Sequence, residues 1–145
     1  MPRSCRIILL LFAFFILSVS AMAEIQDMYT INVSESKFAG QFMVNQSGYT
    51  LYYFSDDAQG KGGSTCYEDC AKTWIPFYTE TVSVPDSLRS VDFATITRTD
   101  GSKQITFRGW PLYLYSGDTG AGDTYGSGKK GQWHVADPSS IGQLF

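Results

Sequence analysis

Basic residues are scarce in this chain of 145 residues, and histidine almost absent: eleven Lys and Arg stand against fourteen Asp and Glu, with one histidine. The resulting net charge of −3 leaves no basic face for nucleic acid or for an anionic membrane surface. The one adjacent basic pair, Lys129 and Lys130, lies in a glycine-rich stretch and reads as a solvated loop tip. Motifs of common chemistry are missing too. There is no Gly-x-Ser-x-Gly, and one histidine among many serines singles out no Ser-His-Asp set. Glycine-rich residues 117–131 lack the Lys-Ser or Lys-Thr end and following helix of a phosphate cradle, and no Cys-x-x-Cys-His is present for haem. Long helical periodicity is absent. The main apolar run, residues 7–17, is eleven residues long, short of the roughly 20 that a membrane span requires.

That run has another use. Arg3 and Arg6 precede it and Ala21, Met22 and Ala23 follow it, the layout of a secretory signal peptide over residues 1–23 with cleavage before Glu24. Residues 24–145 then form a single domain, large enough to bury a core, in the periplasm or outside the cell. Cys5 leaves with the leader. Cys66 and Cys70 remain, and two cysteines in an exported chain suggest a disulfide. With three residues between them, such a bond pins a local turn more than it stabilises the domain.

What organises the chain is a repeat. GYTLYYFSDD at residues 48–57 returns as GWPLYLYSGD at residues 109–118, and windows 44–57 and 105–118 match without a gap. Gly48, Leu51, Tyr52, Ser55 and Asp57 find identical residues at Gly109, Leu112, Tyr113, Ser116 and Asp118. Around these copies, residues 29–33, 41–44 and 49–55 read as strands, the last two as a hairpin across 45–48. Alternation puts Tyr49, Leu51 and Tyr53 on one face and Thr50, Tyr52 and Phe54 on the other, both apolar enough to be covered. Residues 66–73 fit about two helical turns, stopped by Trp74, Ile75 and Pro76. Residues 91–98, 103–107 and 111–115 read as an antiparallel meander, with Asp100 and Gly101 in its first turn, and residues 132–136 as a closing strand. The expected fold is all-β, with two related antiparallel repeats, about 38–77 and 91–136, packed as one compact domain with at most one or two short helices.

These residues resemble a family, the secreted-repeat lipoproteins, extracytoplasmic proteins with a Tyr-x-aromatic-x-x-Asp motif. The motif stands at Tyr52, Phe54 and Asp57, and again at Tyr113, Tyr115 and Asp118. Around the first copy, Cys66 to Cys70, Ala71, Trp74 and Pro76 are similar to the family's Cys-x-x-x-Cys-Ala, Trp and proline pattern. Around the second, Gly109 to Tyr113, Gly122 to Thr124 and Trp133 to Val135 fit as well, so the resemblance spans residues 33–136. Many members carry a lipobox cysteine at the cleavage site. Here Cys5 precedes the apolar run, so a chain freed of its leader rather than lipid-anchored is expected; Ile75 also replaces the first of two prolines. The resemblance implies fold and address and little about activity.

Each candidate site has a structural and a functional reading. The motif's aromatics and Asp could form a stacking platform with a polar clamp for a sugar. Their recurrence favours core filling, with the Asp accepting backbone hydrogen bonds where the loop begins. Asp56, Asp57, Asp118 and Asp123 are oxygen donors, but their spacing is not that of an EF-hand, and nothing in the sequence sets two of them across a glycosidic bond. Cys66, Cys70 and His134 could suit copper if the thiols were free. The sequence therefore reads as an exported, non-catalytic and monomeric binding module of the cell envelope, with no cofactor, an envelope glycan or protein as partner, and no nucleic acid. The alternative is an extracytoplasmic redox or copper-handling protein.

Overall fold

The computed structural model describes residues 28–144. The expected leader and its cleavage site lie outside these residues. Strands β1 (Ile31–Ser36) and β2 (Gly40–Asn45) form an antiparallel ribbon. After β3 (Tyr52–Phe54), a 3-10 turn (Ser55–Gly60) and helix α1 (Asp69–Thr73) lead into β4 (Trp74–Pro76). A short 3-10 turn (Ser90–Asp92) precedes β5 (Phe93–Thr97), β6 (Lys103–Phe107), β7 (Trp110–Pro111) and β8 (Tyr113–Tyr115), and a last 3-10 turn (Lys129–Gly131) precedes β9 (Trp133–Val135). The sheets are β1-β2, β4-β8-β3-β9 and β5-β6-β7, all antiparallel. This is the β-dominated domain that the sequence predicts.

Several details differ. β2 pairs along its length with β1, and meets the segment after its turn only at the bridge of Val44 with Thr50. The third strand of the meander breaks at Leu112: β7 stays beside β6, while β8 crosses into the four-stranded sheet. The helix is five residues long, because Trp74 already belongs to a strand paired with Tyr115.

The four-stranded sheet is covered on both sides, as its alternation predicts. Leu51 and Leu112 are fully buried in a core with Ile31, Met43, Ile105 and Phe107, and Tyr53 and Leu114 pack against it. Tyr52 and Tyr113 point the other way, into a smaller core with Cys66, Trp74 and Trp133.

The copies are related by a pseudo-two-fold axis where Tyr52 pairs with Tyr113 across β3 and β8. Three backbone bonds repeat around it. Met43 N–H donates to Ala136, Leu51 N–H to Met43, and Ala136 N–H to Leu51; the counterparts join Ile105 to Phe77, Leu112 to Ile105, and Phe77 to Leu112, all at 2.8–2.9 Å. Met43, not Val44, is thus the counterpart of Ile105, which corrects the ungapped alignment. The cause is the turn. Arg108 and Gly109, at φ 49° and 86°, make a two-residue hairpin loop whose positive φ values match the strand twist. The first copy uses one residue more, Gln46, Ser47 and Gly48, closed by Gly48 at φ 85° and by Asn45 Oδ1, which accepts the N–H groups of Ser47 and Tyr49.

Candidate functional site

The first tyrosine of each motif finds its carboxylate in the other copy. Tyr52 donates its hydroxyl to Asp118 Oδ2 at 2.6 Å, and Tyr113 donates to Asp57 Oδ2 at 2.7 Å. The second carboxylate oxygen closes the loop that follows. Asp57 Oδ1 accepts from Thr65 N and Oγ1 at 2.8 and 2.7 Å, and Asp118 Oδ1 accepts from Tyr125 N at 2.9 Å. The loop-closing role expected of the Asp is present, and the exchange between copies is added to it.

Burial sets the protonation of this quartet. Desolvation pushes both tyrosine hydroxyls far above their ordinary range, and the neighbouring carboxylates push the same way. Desolvation also raises both aspartates, against the bonds from Tyr113 and Thr65 to Asp57 and from Tyr52 and Tyr125 to Asp118. The tyrosines therefore remain donors at any physiological pH.

Around Asp57 the network reaches a buried cation that sequence reasoning missed. Arg98 is 3% exposed; its Nη1 donates to Ser64 Oγ and Gln104 Oε1, and its Nη2 to the Cys66 carbonyl at 2.6 Å. Ser64 Oγ lies 2.7 Å from the Tyr113 hydroxyl, whose own hydrogen is directed at Asp57 Oδ2, so the serine is the donor there. Arg98 thus sits three hydrogen bonds from the carboxylate, through Ser64 and Tyr113, and lowers its affinity for protons from a distance. Asp118 has the opposite neighbour, Asp123, whose charge raises it.

Phe54 and Tyr115, the second aromatics of the motif, are only half-buried and end a stack of four rings. Phe54 lies on Trp133 at 4.2 Å, Trp133 on Trp74 at 3.8 Å and 2°, and Trp74 on Tyr115 at 4.5 Å. Trp74 and Trp133 are counterparts in the two copies and meet at the axis. Along the stack runs a cleft of about 390 Å3. One wall is α1, through Asp69, Cys70 and Thr73; the other is the 3-10 turn, through Lys129 and Lys130, with Gln132 beside it. Lys129 and Lys130 are exposed, as expected of a solvated tip, and also line the cleft; Lys129 Nζ lies 5.5 Å from the Tyr115 ring centroid.

Cys66 and Cys70 form the expected disulfide, with Cys66 fully buried against the smaller core and Cys70 lining the cleft. His134 is not beside a free thiolate; its ring tilts against Tyr53 at 5.2 Å. Of the remaining carboxylates, Asp123 serves its own loop and Asp56 reaches the other copy. Asp123 Oδ2 accepts from Thr119 and Gly120, and Asp56 accepts from Gln132. Among the described residues no group of three His, Cys, Asp or Glu is placed to hold a metal ion, and no helix is long and apolar enough to cross a membrane.

A family model described as a secreted repeat of unknown function matches the chain twice, over residues 36–77 and 94–137. The chain belongs to this secreted repeat family. The two matches coincide with the copies related by the axis, and each contains one Tyr-x-aromatic-x-x-Asp motif. No curated protein and no solved structure matches the chain.

Proposed function

We propose that this member of the secreted repeat family is an exported, non-catalytic binding module of the cell envelope or its exterior, released by cleavage before Glu24. In this reading the duplicated motif builds the scaffold, and the cleft along the aromatic stack receives the ligand. The observation that carries it is the division within each motif. Tyr52, Tyr113, Asp57 and Asp118 are buried in mutual hydrogen bonds, whereas Phe54 and Tyr115 stay half-open at a preformed cleft. A concave aromatic surface with a few polar groups is the usual form of a small-ligand site. The same division argues against catalysis, because both oxygens of each motif carboxylate already accept hydrogen bonds that hold the scaffold.

The copper-handling alternative needs free thiolates from Cys66 and Cys70 near His134. With both sulfurs in a disulfide and the imidazole against Tyr53, no observation favours it.

Intact mass of the exported protein, with and without alkylation, should show a chain that begins at Glu24, lacks lipid and resists the alkylating reagent. The binding claim is tested by screening that protein against glycans, envelope fractions and envelope proteins, with amide chemical shifts as readout. Saturable binding that moves the signals of Thr73 and of residues 129–132 is expected. Absence of saturable binding throughout the screen would overturn the reading.

A further inference from the structure

We infer that the cleft takes an anionic glycan segment, an oligosaccharide bearing carboxylate or phosphate groups, which it holds by Lys129 and Lys130. This rests on the binding-module reading above and specifies its ligand. Trp74 and Trp133 each carry a stacked ring on both faces, so they meet the cleft by their edges. Aromatic edges carry positive potential, the opposite of the ring face. Two ammonium groups add to it. Lys129 leans over the Tyr115 ring, and Lys130, in the left-handed region at φ 53°, makes no ion pair with any described residue.

Two carboxylates stand near, and both are engaged. Asp69 pairs with Lys72 at 2.9 Å, and Asp56 accepts from the Gln132 amide. Lys72, Lys129 and Lys130 outnumber Asp69 and Asp56 by one, so the cleft rim keeps a surplus positive charge on a chain whose net charge is −3. That contrast draws an anion to this place and away from the rest of the surface.

The other chemistry favours a saccharide. The Thr73 hydroxyl and the Gln132 amide suit sugar hydroxyls, and the half-buried Phe54 and Tyr115 rings suit sugar C–H groups. A nucleic acid would need a longer basic stripe than two lysines provide. An acidic peptide would meet the lysines through its carboxylates but brings no row of hydroxyls for Thr73 and Gln132, which makes it the rival ligand in the test.

The test is an amide chemical-shift titration of the exported chain with oligogalacturonate, its methyl ester, a glycerol-phosphate oligomer and an oligoglutamate peptide. One of the two anionic polymers should bind at the cleft, and which one distinguishes carboxylate from phosphate. Lys129→Ala with Lys130→Ala should weaken that binding at least tenfold, and rising salt should weaken it further. Both lysines are exposed, so the double variant keeps its fold. Methyl ester binding as tightly as the uronate would overturn the charge argument while leaving a binding module. Oligoglutamate binding more tightly than either polymer would overturn the glycan assignment. Failure of both anionic polymers to shift the cleft signals would overturn the inference, even if an envelope fraction bound elsewhere.

Discussion

Tyr52 belongs to the first repeat and Asp118 to the second, yet their side chains meet at 2.6 Å in the buried centre of the protein. Tyr113 and Asp57 make the reverse bond. Each repeat thus completes the other's motif.

Double-mutant cycles read this exchange directly. Tyr52→Phe with Asp118→Asn, and Tyr113→Phe with Asp57→Asn, should show coupling energies of about 1–3 kcal/mol in denaturant unfolding. The pairs within one copy, Tyr52 with Asp57 and Tyr113 with Asp118, should couple far less. Equal coupling within and between copies would contradict the exchanged arrangement.

Removing the rings costs more than removing their hydroxyls. Tyr52 and Tyr113 are fully buried, so either alanine variant should lose about 3–5 kcal/mol. Tyr113→Phe keeps the packing but takes a donor from a buried carboxylate, at about 1–3 kcal/mol. Urea midpoints separate the two effects, and an unchanged midpoint for Tyr113→Ala would show that the ring is not core.

The motif aspartates should set a characteristic pH dependence. Burial raises Asp57 and Asp118, so the folded state binds their protons more tightly than the unfolded chain does. Their contribution to stability is fully present below the ordinary aspartate value and is lost as pH rises through the raised one. Relative to Asp118→Asn, which cannot titrate there, the native protein should gain stability between pH 7 and pH 4.5. Midpoints of both proteins at the two values check the sign; a loss would mean that hydrogen bonding outweighs burial.

Two local features have their own signatures. A Cβ on Gly126 would lie 2.7 Å from Trp74 Cη2, within the stacked core, so Gly126→Ala should cost about 1–3 kcal/mol and alter near-ultraviolet circular dichroism. Cys70→Ser opens only a short loop and should cost about 2 kcal/mol, leaving the protein folded.

Much of this was legible in the residues, for identifiable reasons. Period-two alternation around Tyr52 assigned each side chain to a face because that sheet is covered on both sides, and the Asp role followed from turn chemistry at the start of a loop. The exchange was not legible, because both copies carry the same Tyr and Asp and letters do not say which carboxylate a tyrosine reaches. Arg98 sits at the end of a strand-like run, where a basic residue ordinarily meets water; only the tertiary placement of Ser64, Cys66 and Gln104 buries it. Lys129 and Lys130 followed loop composition, and the cleft beside them arises from two tryptophans 59 positions apart.

The exchanged bonds also impose a rule of parity. One repeat alone leaves its own Tyr and Asp without partners, so it could be completed only by a second chain carrying the same motif, as a symmetric homodimer held by the contacts that are intramolecular here. Duplication followed by fusion would preserve that dimer inside a single polypeptide. Units built this way count in twos, and an odd copy in a longer array would have to find its complement in another molecule.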